Sequence, residues 1–94
     1  MLEEICAKRD ELYEIAKRNK AERLWVFGSC ARKEERPDSD VDLLVKFNDE
    51  ASLLDLVHIR DDIQKIVMRN VDVVSQRGLS PFLKDRILGE AVAI

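Results

Sequence analysis

Cysteine, histidine, proline and glycine are all scarce in this 94-residue chain, at two, one, two and three residues. Cys6 and Cys30 lie in different segments without metal-site spacing, so a reduced, cytoplasmic protein is the simplest reading. The lone histidine, His58, falls in the middle of an expected helix and receives no role. No apolar run approaches the length of a membrane span, and the acidic N-terminus does not read as a signal peptide. Basic residues do not dominate either. Sixteen Lys and Arg against 19 Asp and Glu leave a net charge of −3 with no basic stripe, which argues against direct nucleic-acid binding. Repeats, low-complexity tracts and linkers are missing as well.

What remains is 46% hydrophobic and 37% charged, a balance that suits a single globular domain over residues 1–94. So small a domain leaves apolar surface incompletely covered. Self-association or a partner chain is therefore expected to cover some of it.

Residues 2–19 place Leu2, Ile5, Cys6, Leu12, Ile15 and Ala16 on one face at helical spacing, with Asn19 and Lys20 as the stop. Leu24 to Phe27 is a short apolar run closed by Gly28 and reads as a buried strand. Residues 30–35 have helix propensity, and Pro37 forbids any continuation into the loop 36–39. Val41 to Phe47 is a second strand and 48–50 a turn. A long helix is expected from Ser52 to about Met68, with Leu53, Leu56, Val57, Ile59, Ile63, Ile66 and Val67 as its apolar set. Val71 to Val74 is a third strand. Ser80 caps a last helix from Pro81 to about Leu88, with Gly89 as its end, and 91–94 form a strand fragment or a docked tail. This alternation predicts an α+β, α/β-like fold with helices flanking a sheet. The strands' relative directions stay open.

The chemistry concentrates between Gly28 and Asp42. The pattern is Gly28-Ser29, ten residues, then Asp40-Val41-Asp42. Residues two apart on a strand project from one face, so Asp40 and Asp42 stand side by side. Paired carboxylates repel unless a cation or proton sits between them, and Mg²⁺ prefers such hard oxygen ligands. Asp72 interrupts an apolar strand, where an ionised carboxylate is costly without a partner. If that strand lies beside the one carrying Asp40 and Asp42, all three join one cluster able to hold two cations. Gly28 allows a phosphate close to the backbone, and a strand-to-helix turn there presents free N–H groups to an anion. The Ser29 hydroxyl and, one turn on, the Arg32 guanidinium can reach the same phosphates.

These residues, and the stretch FGSCARKEERPDSDVDLLV around them, resemble the signature of the DNA polymerase β nucleotidyltransferase superfamily, and most closely its minimal nucleotidyltransferase (MNT) branch. The likeness runs from about Leu24 to Leu88. It implies a mixed sheet with flanking helices, the polymerase β palm-like fold. It also implies an NTP donor, with ATP preferred here, and two Mg²⁺ ions. Gly28 and Ser29 would hold the triphosphate. Asp40, Asp42 and Asp72 would be the metal ligands and catalytic carboxylates. MNT proteins often serve as antitoxins to HEPN toxins, and some transfer AMP to a toxin tyrosine, so a HEPN partner with a tyrosine acceptor is the implied substrate. One residue departs from the pattern: Lys33 stands where family members commonly have glycine, which alters the local helix and adds a cation near the phosphates.

Plainer readings compete with each assignment. Asp40 and Asp42 could be a surface turn-and-cap pair, Asp72 an edge-strand residue facing water, Gly28-Ser29 an ordinary turn, and Arg32 a solvated helix residue. Cys30 and Trp25 read as core packing, Tyr13 as a helix residue at an interface, and Lys33 to Arg36 as a solvated charge run. The functional alternative is a non-catalytic antitoxin that blocks its partner sterically. A small-molecule transferase is a third reading, weakened by the missing acceptor-binding domain.

Overall fold

A computed structural model describes residues 2–34, 36 and 38–94. The expected helix end at Glu35 and the break at Pro37 lie outside the described residues. Among those residues the order is α1 (Leu2–Ala7), α2 (Arg9–Arg18), β1 (Ala21–Phe27), α3 (Gly28–Ala31), β2 (Val41–Phe47), α4 (Leu53–Val67), β3 (Val71–Ser75), a 3₁₀ turn (Gln76–Gly78), α5 (Pro81–Glu90) and β4 (Val92–Ala93). The sheet order is β3-β2-β1-β4. β2 pairs antiparallel with β1 and parallel with β3, and β4 pairs antiparallel with β1. The sheet is therefore mixed.

Strand alternation gives this sheet two unlike faces. Leu24 and Val26 of β1, Val41, Leu43 and Val45 of β2, and Val71 of β3 are buried on one face. They form one core with Leu12, Ile15 and Ala16 of α2 and with Ile59 and Ile63 of α4. Each fully buried aliphatic side chain there contributes roughly 1.5–3 kcal/mol. The intervening residues, Trp25, Phe27, Asp42, Leu44 and Asp72, project from the other face.

The ends of the elements follow local chemistry. Asn19 closes α2: its side-chain Nδ2 donates to the Ile15 carbonyl at 2.9 Å, and Lys20 then turns left-handed at φ 62°. The Ser52 N–H donates to the Asp55 carboxylate at 2.8 Å at the start of α4. Met68 ends α4 in the left-handed region. Ser80 Oγ accepts from the Leu83 N–H at 3.3 Å, with Pro81 in the first turn of α5.

Several expectations are corrected. The first helix is broken at Lys8, whose Nζ donates to the Ile66 carbonyl at 3.0 Å and so ties the N-terminal segment to the last turn of α4. β1 starts at Ala21, three residues early, because Phe47 on β2 extends the ladder to it. Leu53 is exposed, not part of the apolar face of α4. Tyr13 is an internal anchor: its hydroxyl accepts from the Leu24 N–H at 3.2 Å. The helix over 30–35 is replaced by a four-residue α3, because Lys33 adopts φ 58°. That backbone conformation suits glycine, the residue that the resemblance leads one to expect in place of Lys33. Finally, α5 does not stop at Gly89 but runs on to Glu90.

The Val71 N–H, which opens β3 next to Asp72, is bonded to Gln64 Oε1 of α4 at 2.9 Å. Gln64→Leu keeps the helix but leaves this amide unpaired. It is expected to lower the unfolding free energy by about 1–3 kcal/mol, measured by urea denaturation.

Candidate active site

Three strand ends meet at one end of the sheet. The last residue of β1, Phe27, lies opposite Asp42. In the parallel ladder Asp42 lies opposite Asp72. Direct partners in adjacent strands share a face, so the two carboxyl groups are neighbours on the face away from the main core. Asp40 precedes the strand by one residue and shares the Asp42 face by spacing. β3 is an edge strand of the sheet and the Asp72 side chain is exposed, as the plainer reading has it, but the register also sets Asp72 directly beside Asp42. The strand pairing of β2 and β3 supplies the adjacency that the residue pattern left conditional.

The loop leading into Asp40 is pinned from below. Arg69 Nη1 donates to the carbonyls of Arg36 at 3.0 Å and Ser39 at 3.2 Å. The Val41 N–H bonds the Asn70 carbonyl at 2.9 Å. These bonds hold Asp40 at the mouth of the β2–β3 pair.

Gly28 fits against Asp42 for a steric reason. Its φ is +71°, a region L-residues rarely adopt. A Cβ on Gly28 would fall on the Asp42 carboxylate, with Oδ2 nearest and Cγ 3.1 Å away. The missing side chain is thus the space into which the Asp42 carboxylate packs. Cys30, two residues on, is fully buried, in line with a packing role.

The Asp42 carboxyl is pushed above its ordinary pKa, first by burial and then by the charges of Asp72 and Asp40, against a smaller lowering by Arg32. Asp42 therefore feels the charge of both neighbouring carboxylates. A divalent cation among them would relieve both the burial cost and the repulsion, so the donor set fits a hard ion such as Mg²⁺. Among the described residues, no three His, Cys, Asp or Glu side chains are drawn together into a ready-made ion cage.

The anion-binding side holds a residue that the residue pattern did not single out. The Gly28 N–H is not free: it donates to Glu90 Oε1 at 3.1 Å. Arg32 Nη1 donates to the other Glu90 oxygen at 2.9 Å, and Arg32 Nε donates to Glu34 at 3.1 Å. Arg32 is exposed, in line with its plainer reading, yet it lies beside Gly28 through the carboxylate that they share. Its pKa is raised by the bonds to Glu34 and Glu90. Glu90 is lowered by its bonds from Arg32 and from the Gly28 amide. Ser29 is half-buried at the start of α3. A hollow of about 300 Å³ opens here, lined by Gly28, Arg32, Arg86 and Glu90. On the far side of Asp40 a second, wider hollow of about 560 Å³ is lined by Asp38, Asp40, Met68 and Arg69. Glu90 escaped notice because Gly89 reads as a helix terminator, and the signal would have been its place one turn after Arg86 on an uninterrupted helix.

Two outcomes follow. Gly28→Ala is expected to lose about 1–3 kcal/mol of stability in denaturant melts, since it combines backbone strain with a clash on Asp42. The second concerns pH in chelator-treated protein. A carboxyl whose folded pKa is raised holds its proton more tightly folded than unfolded. The stability this gives is present below the ordinary carboxyl range and is lost as pH rises through the raised value. Asp42→Asn, which stays neutral, is expected to melt above the parent at about pH 7 and to lose that advantage as the pH is lowered below the ordinary aspartate value near about 4.

The polymerase beta nucleotidyltransferase family profile matches residues 10–94. A protein adenylyltransferase, MntA, of Thermococcus cleftensis is 32% identical over 81 residues, covering 86% of this chain and 82% of that one. A Methanocaldococcus jannaschii protein provisionally named a protein adenylyltransferase is 44% identical over 72 residues, 77% of each chain. A solved structure provisionally identified as a minimal nucleotidyltransferase superposes with a TM-score of 0.88 at 41% identity, covering 99% of this chain and 95% of that one. The fold is also that of an MNT antitoxin solved in complex with a tri-AMPylated HEPN toxin of Shewanella oneidensis, at TM-score 0.70 and 17% identity, covering 99% of this chain and 71% of that one. The chain belongs to the polymerase beta nucleotidyltransferase family, among its minimal members.

Proposed function

We propose that this nucleotidyltransferase moves AMP from ATP to a tyrosine hydroxyl of a HEPN-type toxin in the cytoplasm and thereby acts as its antitoxin. The observation that carries the reading is the direct pairing of Asp42 with Asp72, with the side-chain-free Gly28 packed against Asp42. The names of the adenylyltransferase relatives, and the AMPylated toxin bound by a protein of this fold, support the choice of group and acceptor.

In this reading the Gly28 amide, Ser29 and Arg32 bind the triphosphate by hydrogen bonds to its oxygens. Two Mg²⁺ ions, held by Asp40, Asp42 and Asp72, would neutralise charge on the donor phosphates and lower the pKa of the acceptor hydroxyl. Asp72 accepts the hydroxyl proton. The tyrosine oxygen forms its bond to the α-phosphorus, the bridge from the α- to the β-phosphorus breaks, and pyrophosphate leaves. In-line displacement places attacking and leaving oxygens on opposite sides of the phosphorus. The donor phosphates take the Gly28 and Arg32 hollow, so the acceptor comes over the opposite flank, past Asp40 and the wider hollow. Rate enhancement then rests on positioning and charge neutralisation.

The test uses purified chain, its HEPN-type partner, Mg²⁺ and α-labelled ATP. Label is expected to move to the partner in a chelator-sensitive reaction. Asp40→Asn and Asp42→Asn are each expected to reduce transfer on the order of a hundredfold or more. Unlabelled partner that is nonetheless silenced by both variants would replace transfer with steric blocking.

A further inference from the structure

We propose that Glu90 is an internal stand-in for the donor phosphate: its carboxylate fills the anion position formed by the Gly28 amide and Arg32, and nucleotide binding displaces it and passes Arg32, together with Arg86, to the triphosphate. This rests on the nucleotidyl-transfer reading above.

The geometry is that of bound anion recognition. One Glu90 oxygen takes the Gly28 N–H at 3.1 Å and the other takes Arg32 Nη1 at 2.9 Å. A phosphate oxygen pair would demand the same two donors, because a carboxylate and a phosphate both present acceptor oxygens to a backbone amide and a guanidinium. Both groups cannot hold the position at once. Arg86, one helical turn before Glu90 on α5, lines the same hollow and bears electrostatically on the Glu90 carboxylate. No part of the proposed transfer uses Arg86, yet it lines the hollow into which a phosphate replacing the Glu90 carboxylate would come.

Displacement needs only a side-chain movement. The Glu90 backbone is anchored on both sides: the Ala91 N–H bonds the Ile87 carbonyl at 2.9 Å, and Val92 pairs with Val26 of β1. The Glu90 side chain is 34% exposed and that of Arg32 46% exposed, so both have room to rotate towards solvent without opening the core. The tether also keeps the carboxylate permanently close. A competitor attached to the protein weakens apparent affinity by the fraction of time the site stays open, so a latch closed nine-tenths of the time costs about tenfold. Such a device weakens every anion at this position by the same factor, so a ligand needs further contacts, such as those of a triphosphate with Arg86, to bind well.

The experiment is calorimetric titration of the full chain with a non-hydrolysable ATP analogue and Mg²⁺, alongside inorganic pyrophosphate. Glu90→Gln and Glu90→Ala are both expected to bind the analogue and pyrophosphate about tenfold tighter than the parent. Arg86→Ala is expected to bind several-fold more weakly, roughly as for loss of one charge-assisted contact. Glu34→Gln removes a charge from the same guanidinium without touching Gly28, and is expected to leave affinity within about twofold. The proposal is overturned if both Glu90 variants bind as the parent or more weakly. It is overturned equally if Glu34→Gln tightens binding as much as they do, or if they lose transfer at unchanged affinity. Should neither parent nor any variant bind nucleotide, the nucleotidyl-transfer reading falls and takes the latch with it.

Discussion

Like charges held side by side at the end of a sheet are the constraint from which the rest of this structure follows. Adjacent strands are spaced about 4.8 Å apart by their hydrogen-bond ladder. Asp42 and Asp72, direct partners in β2 and β3, cannot move apart without breaking that ladder. The opposite face supplies the energy that keeps the ladder closed. Val41, Leu43, Val45 and Val71 are buried beneath, against Ile59 and Ile63 of α4. Because side chains alternate, the same backbone that seats these four residues in the core must raise Asp42 and Asp72 on the other side. A register slip of one residue would bury the acids and expose the valines. The hydrophobic core thus selects the position of the carboxylates as well as the stability of the fold.

The second constraint is the space at Gly28. Its left-handed backbone and absent Cβ admit the Asp42 carboxylate to a position that any other residue would block. One glycine therefore serves two neighbours, giving room to Asp42 through its missing side chain and an N–H to Glu90 through its backbone. The charges then arrange themselves around it in order. On one side burial and then the charges of Asp72 and Asp40 raise Asp42, and on the other stands the Arg32–Glu90 pair, in which each partner favours the charged form of the other. The folded protein tolerates the strain of the first group because the core and the second group hold its frame.

Much of this was legible beforehand because it is local. Apolar alternation marks Val41–Phe47 as a strand, Ser80-Pro81 marks a helix start, and the Gly-Ser and Asp-Val-Asp spacing marks where chemistry gathers. What escaped was decided by tertiary contact. Lys8 breaks the first helix because its ammonium reaches the Ile66 carbonyl, 58 residues away. Lys33 shortens α3 by taking a left-handed conformation that its residue type does not advertise. Gly89 reads as a stop, and an isolated glycine in a helix costs about 1 kcal/mol. Pairing of Val92 with Val26, and the two bonds to Glu90, offset that cost and carry the helix one residue further. Parallel pairing of β2 with β3 was left open for the same reason, since no local pattern distinguishes it.

Not all of the apolar surface is in the core. Phe82 is 70% exposed on α5 and Met68 82% exposed beside the wider hollow, while Leu53 and Leu54 stand out from the start of α4. Singly, exposed apolar residues are ordinary. Here Leu83, also exposed, lines the hollow that holds Arg86 and Glu90, and Met68 lines the one shared with Asp40. The core of the described sheet lies on the face opposite Asp42 and Asp72, and the carboxylates stand on its other side. In the proposed reading the acceptor chain itself completes the site, covering apolar surface with the same approach that brings its hydroxyl to the carboxylates. Affinity for the partner and orientation of the reacting oxygen then have one physical source, because the contact that binds the partner also positions its hydroxyl.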